Sequence, residues 1–264
     1  WGLAATLRGV SLASLLGGTA RRIPVGISIG IQESPGALIA KVESCLAQGY
    51  RKIKMKIEPG TDLDYLRPVR AAVGPEAPLM ADANNAYTLD DLARLKALDE
   101  LGLVMIEQPL AWDDLRRHAL LQKELATPIC LDESITNLDH AEDAIAFGSG
   151  RIINIKPGRV GGFAPSIAIH DLCARHGLPV WCGGMLESGV GRAYNVALAA
   201  LPNFTYPGDL SPSRRYWQRD VVDPEWTMDD EGMVAVPADR PGIGVAVDAE
   251  RVAGLAVRRE VLTA

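Results

Sequence analysis

Six charged side chains sit inside apolar stretches of this sequence: Lys54, Lys56, Asp82, Glu107, Asp132 and Lys156. From Lys56 to Lys156 the steps are 26, 25, 25 and 24 residues. Lysine and acidic side chains are almost never fully buried unless paired, so one such residue reads as a structural ion pair. Five at one constant phase, with Lys54 two residues before the first, need a further reason, and convergence on a common point supplies it. Three carboxylates meeting there would repel one another without a cation. Oxygen ligands with no neighbouring His or Cys favour a hard ion, Mg2+ or Mn2+, over zinc. Three protein ligands also leave an octahedron open to substrate oxygens and water. Lys54 and Lys56 are two apart and share one face of a strand. A lysine becomes a base near neutrality when burial or a like charge lowers its pKa, and Lys54 is a like charge for Lys56. This combination suits proton abstraction α to a carboxylate, with the enediolate charge stabilised by the divalent ion.

The elements that must carry these residues are short apolar runs. They are 23–31, 52–57, 78–83, 103–109, 128–134, 151–157, 179–184 and, less clearly, 204–210. Each has strand length and is rich in Ile, Val, Leu or Met. Between them lie segments with helical apolar spacing, such as Leu89, Leu92, Leu95 and Leu98, preceded by Thr88 as an N-cap. A repeat of about 25 residues predicts parallel strands with crossover helices. An open sheet that binds a dinucleotide is disfavoured, because no GxGxxG follows the first strand. Polar residues recur at the C-terminal ends of many different strands, and only a closed barrel brings so many ends together. The predicted fold is therefore α/β, a modified TIM barrel of (β/α)7β type. Residues 1–22 form a helix leading into the barrel, 23–212 the barrel, and 213–264 a C-terminal segment packing on it or on a capping domain. Pro68 should kink the second helix or delay its start.

Composition sets the class. The chain has 264 residues, 48% hydrophobic, with 27 basic and 33 acidic side chains and a net charge of −6. Disorder is excluded by the apolar content, and nucleic-acid binding through bulk positive charge by the acidic balance. Cys45, Cys130, Cys173 and Cys182 form no CxxC pair and read as core residues of a reducing, cytoplasmic compartment. No apolar run reaches the ~18–20 residues of a membrane span. The sequence shows no signal peptide and opens at Trp1, within a predicted helix at 1–16, so a preceding segment is expected.

Six stretches stand out: Ile53-Lys54-Met55-Lys56-Ile57-Glu58-Pro59-Gly60, Ala81-Asp82-Ala83-Asn84, Ile106-Glu107-Gln108-Pro109, Leu131-Asp132-Glu133-Ser134, Asn154-Ile155-Lys156-Pro157, and Gly183-Gly184-Met185-Leu186-Glu187-Ser188-Gly189-Val190-Gly191-Arg192-Ala193. Together they resemble the enolase superfamily, muconate-lactonising subgroup. Within it the resemblance is to the o-succinylbenzoate synthase / N-succinylamino acid racemase (N-acylamino acid racemase) family. The resemblance implies Asp82, Glu107 and Asp132 as Mg2+ ligands, with Mn2+ or another divalent ion able to substitute. It implies Lys56 and Lys156 as the acid/base pair and Lys54 as the electrostatic helper of Lys56. The activities implied are racemisation of N-acylamino acids, syn-dehydration to o-succinylbenzoate in menaquinone biosynthesis, or both. The implied partner is a small-molecule carboxylate, with neither nucleic acid nor membrane, in a homo-oligomer. Members carry an N-terminal α+β capping domain, and nothing in these residues corresponds to it.

Ser28 faces the mouth, and the resemblance implies a hydrogen bond from it to a substrate carboxylate, although an ordinary strand hydrogen bond explains it equally well. Gly183 and Gly184, followed by Met185, permit close backbone approach to a ligand, or simply a tight turn. Asn84 is expected to orient Asp82 or a metal-bound water. Glu133 and Glu187 are also near the mouth, and ion pairs with Lys54 or Arg192 explain them adequately. All four histidines fall in helical segments, which argues against a His–Asp base. The segment 206–211 lacks the Asp-x-Asp of dipeptide epimerases. Further readings are a muconate cycloisomerase-like or dipeptide epimerase-like enzyme, a Schiff-base aldolase, and a non-catalytic enolase-like barrel.

Overall fold

In the computed structural model, which describes residues 1–261, seven strands form one parallel sheet in sequential order. They are β2 (Gly26–Ile29), β3 (Lys52–Lys56), β4 (Leu79–Asp82), β5 (Ile106–Glu107), β6 (Ile129–Leu131), β7 (Ile152–Ile155) and β8 (Val180–Cys182), preceded by β1 (Arg22–Pro24). Helices α3 (Pro35–Ala47), α4 (Leu63–Val73), α5 (Leu92–Ala97), α6 (Leu115–Glu124), α7 (Leu138–Phe147), α8 (Pro157–Val160) and α9 (Phe163–Arg175) lie between them, and α10 (Gly189–Ala199) follows β8. Local chemistry sets their ends. Ser34 caps α3 by accepting from Ala37 N at 3.2 Å, ahead of Pro35 in the first turn. Asn137 caps α7 through His140 N at 2.8 Å, and Gly148 closes that helix with φ +70°.

The expected eighth strand does not form a ladder. Pro207 has no N–H to donate. Residues 203–210 nevertheless bridge both sheet edges. Thr205 N donates to Val180 O at 3.1 Å and Asp209 N to Cys182 O at 3.1 Å, while Gly26 N donates to Gly208 O at 2.7 Å. The ring is thus closed by an irregular segment. Three other local expectations are modified. The leading helix is two, α1 (Gly2–Leu7) and α2 (Leu12–Leu16), separated at Gly9 with φ +65°. Helix α4 starts at Leu63 and runs through Pro68. Thr88 does cap the next helical segment, through a capping box with Asp91, but that segment opens and closes as 3-10 turns around α5.

Apolar side chains pack in two places. The larger core lies between sheet and helices. A smaller one fills the barrel interior: Met80, Met105, Cys130, Ile152 and Trp181. Each of the first four stands two residues before Asp82, Glu107, Asp132 or Asn154, so the pleat puts an apolar floor directly beneath a polar mouth. In the C-terminal segment, β10 (Met233–Ala235) pairs antiparallel with β1, and β9 (Val222–Asp223) pairs with β11 (Ala246–Val247) ahead of α11 (Ala249–Leu255). Residues 262–264 of that predicted segment lie outside the described residues. No helix of the described residues is long and apolar enough to cross a membrane. All four cysteines are buried and free, as expected of core residues.

Candidate active site

Strand register brings the charged residues together. Lys56 stands opposite Asp82, and Asp82 opposite Glu107. Glu107 stands opposite Cys130, which sets Asp132 two residues higher, at the end of β6. Lys156 follows β7, four strands from β3 in the ring. Asp82, Glu107 and Asp132 are all buried.

Ammonium and guanidinium groups meet each carboxylate. Lys56 Nζ donates to Asp82 Oδ2 at 2.6 Å. Glu107 accepts from Lys54 Nζ at 3.2 Å through one oxygen and from Asn154 Nδ2 at 2.8 Å through the other. Asp132 accepts from Lys156 Nζ at 2.5 Å and from the Arg159 guanidinium. Convergence of the three carboxylates on one point is therefore not what this arrangement shows. Among the described residues, no three His, Cys, Asp or Glu side chains are gathered to hold a metal, since each carboxylate turns toward its own cation. The donor set itself suits a hard divalent ion: three buried carboxylates on consecutive strands, with no imidazole or thiolate among them. Burial and the neighbouring Glu107 charge push the Asp82 pKa up, a strain that added positive charge would relieve. Burial works against ionisation of Glu107 too, but the Lys54 and Lys156 ammonium groups outweigh it and hold its pKa down.

Lys54 departs from its expected partner. It reaches Asp209 Oδ2 at 2.6 Å, Glu107 and, at 3.4 Å, Asp82 Oδ2, not Glu133. Glu133 lies beyond the strand end, above the layer of Lys54, and pairs with Asn84 Nδ2 at 2.9 Å. Burial opposes the Lys54 charge, but Asp209, Glu107 and Asp82 hold its pKa well above the ordinary lysine value. Lys54 is thus a fixed cation and not a base. Glu187 does meet Arg192, at 3.2 Å.

Asn84 adopts φ +40°, unusual for a residue other than glycine. Its N–H donates to Asp82 Oδ1 at 3.1 Å, and its side-chain oxygen accepts from Lys56 Nζ. Ser28 is half-buried on β2, in register with Lys54. Gly183 and Gly184 make their close approaches to the protein itself. A Cβ at 183 would lie 2.4 Å from Asn154 Oδ1 and 2.6 Å from Lys156 Cε; at 184 it would lie 1.8 Å from the Asp209 carbonyl oxygen. Met185 is 62% exposed on the rim, and its N–H donates to Glu187 Oε1 at 2.7 Å. The histidines sit on α6, α7 and α9 and just past the end of α9, on none of the strands.

Sequence reasoning overlooked Asp209, Asn154, Gln108 and Arg159. Asp209 had a signal: it lies 26 residues after Gly183, which extends the same phase into the closing segment. Gln108 had none. It is fully buried with φ +40°, accepts from Asp132 N at 3.0 Å and Ser134 N at 3.2 Å, and donates to Ser134 Oγ at 2.7 Å. One side chain thereby ties the end of β5 to the loop that carries Asp132.

The arrangement offers two partly exposed ammonium groups, Lys56 and Lys156, flanking three buried carboxylates on consecutive strands. Comparison with known proteins supplies its relatives. Residues 37–252 match the model of the family described as enolase C-terminal domain-like. The chain is 57% identical over 252 residues to an o-succinylbenzoate synthase of Geobacillus kaustophilus, covering 96% of this chain and 66% of that protein. It is 52% identical over 239 residues to an N-succinylamino acid racemase of Thermus thermophilus, covering 90% and 63%. A solved enolase-superfamily structure from Listeria innocua superposes with a TM-score of 0.92 at 44% identity, over 96% of this chain and 68% of that one. The chain thus spans slightly less than two thirds of the length of the two named relatives.

Proposed function

The chain belongs to the enolase C-terminal domain-like family, and from that premise we propose that it is the barrel of an enzyme that abstracts a proton α to a carboxylate. The reaction is racemisation of an N-acylamino acid, dehydration to o-succinylbenzoate, or both, since the relatives carry both names and both reactions begin with the same proton. One observation carries the reading: Lys56 and Lys156 stand four strands apart, each ion-paired to a carboxylate of the cluster between them. A substrate seated over Asp82, Glu107 and Asp132 would present opposite faces of its α-carbon to the two amines. A Schiff-base enzyme needs one neutral lysine and leaves this carboxylate set without a task.

Asp82, Glu107 and Asp132 would hold Mg2+, which when bound would supply Lewis acidity toward the substrate carboxylate. The chain's own residues do the rest. Whichever lysine faces the α-hydrogen takes it; in racemisation the other returns one to the opposite face, and in syn-dehydration the first passes its proton to the departing hydroxyl, which leaves as water, while the other stays cationic beside the developing charge. Lys54 remains an ammonium throughout and adds fixed positive charge beneath the site.

The test is isotope exchange in D2O on the whole protein with added Mg2+. Lys156→Ala should wash deuterium into one enantiomer of an N-acylamino acid without inverting it, and Lys56→Ala into the other. Retained racemisation in either variant would overturn the two-base assignment.

A further inference from the structure

Two buried charges beneath the mouth take no part in that reaction: Asp209, in the segment that closes the barrel, and Lys52, on β3. Lys52, Lys54 and Lys56 alternate along one strand, so their ammonium groups rise through the interior in three layers. Lys52 Nζ lies 3.2 Å above the centre of the Trp181 ring and 3.5 Å from Asp209 Oδ1. Neither Lys52 Nζ nor Asp209 Oδ1 has a hydrogen-bond partner among the described residues. Asp209 Oδ2 stands 2.6 Å from Lys54 Nζ, its shortest contact with any carboxylate.

The other two carboxylates that Lys54 touches, Asp82 and Glu107, are those assigned to the divalent cation. An ammonium and a cation that compete for the same oxygens also repel each other. We propose that Asp209 is a positioning residue: it draws the Lys54 ammonium toward the barrel floor, with Lys52 beside it, and so leaves Asp82 and Glu107 available to a divalent cation. The inference rests on the proposed function for the identity of the cation's ligands. With Asp209 in place, Lys54 keeps a counter-ion of its own when those two carboxylates turn to a cation. Without it, the carboxylates left in reach of Lys54 among the described residues are ones the cation needs.

Mn2+ titration calorimetry on the whole protein tests this without reference to turnover. Asp209→Asn should weaken Mn2+ binding by about 10- to 100-fold, the usual effect of removing a group that orients metal ligands. In a Lys54→Met background the competing ammonium is gone. There, adding Asp209→Asn should change affinity by less than about twofold, the additivity limit for uncoupled sites. A purely structural Asp209 would give the same loss in both backgrounds, and that result overturns the inference, as does wild-type affinity in Asp209→Asn. Thermal melting checks the fold, and Asp209→Ser serves as the second variant. If neither variant folds, Asp209 is a folding residue and the proposal is wrong. Wild-type protein that binds no Mn2+ would sink the functional reading instead.

Discussion

A single methyl group at position 183 would collide with both Asn154 Oδ1 and Lys156 Cε. Neither neighbour moves freely. Asn154 is buried and donates to Glu107, and Lys156 is ion-paired to Asp132. Gly183→Ala should therefore displace one proposed base while the sheet survives. The expected result is at least about a tenfold fall in turnover, equivalent to about 1.4 kcal/mol of barrier, with the deuterium exchange assigned to Lys156 falling more than that assigned to Lys56. Equal losses on both faces would refute the steric argument. Gly184→Ala differs, because its methyl meets the rigid backbone carbonyl of Asp209. That variant should be recovered as unfolded or poorly soluble protein in a melting assay.

At the scale of the element, the site depends on loops locked by buried polar side chains. Gln108 ties β5 to the Asp132 loop, and His118 on α6 ties the turn after Gln108 to that helix. His118 Nδ1–H donates to Asp114 O at 2.7 Å, and Nε2 accepts from Leu110 N at 3.2 Å. That pattern requires the neutral ring. Burial lowers the His118 pKa, against the weaker opposing effect of the Asp114 carbonyl. Because the folded value lies below the unfolded one, the native state is favoured above pH ~6.5, and this contribution is lost as pH falls below it. His118→Gln removes the titration. Between pH 7.5 and 5.5, urea midpoints should fall more for wild type than for the variant, by no more than about 1.4 kcal/mol per pH unit. Parallel slopes would show that the His118 pKa does not differ between the folded and unfolded states.

For the whole molecule, the interior floor sets the height of the site. Trp181 is fully buried, donates through its indole N–H to Cys130 Sγ at 3.2 Å, and carries Lys52 on its face. Trp181→Ala should cost about 3–5 kcal/mol through lost contacts and the cavity left behind. Chemical denaturation checks this. It should also free Lys52 and lower activity even where the variant still folds.

Much of this was legible in the chain as written. Parallel strands, the order of the barrel and the layer of Lys56, Asp82 and Glu107 follow from period-2 alternation and a repeat near 25 residues, both properties of local backbone geometry. Partnership was not local. Glutamates near the mouth are the partners the sequence offers Lys54, yet it pairs with Asp209, 155 residues away, because the closing segment carries that aspartate into the interior. Pro207 prevented the closing segment from being a regular strand, and its hydrogen bonds to both edges emerge only when the ring shuts. Gln108 looked like a polar residue at a strand end, and only packing shows it joining two loops. The sequence by itself determined which residues share a face and a level. Which cation meets which carboxylate was decided by the tertiary structure, because ion pairing depends on separations of a few ångströms between segments that are far apart along the chain.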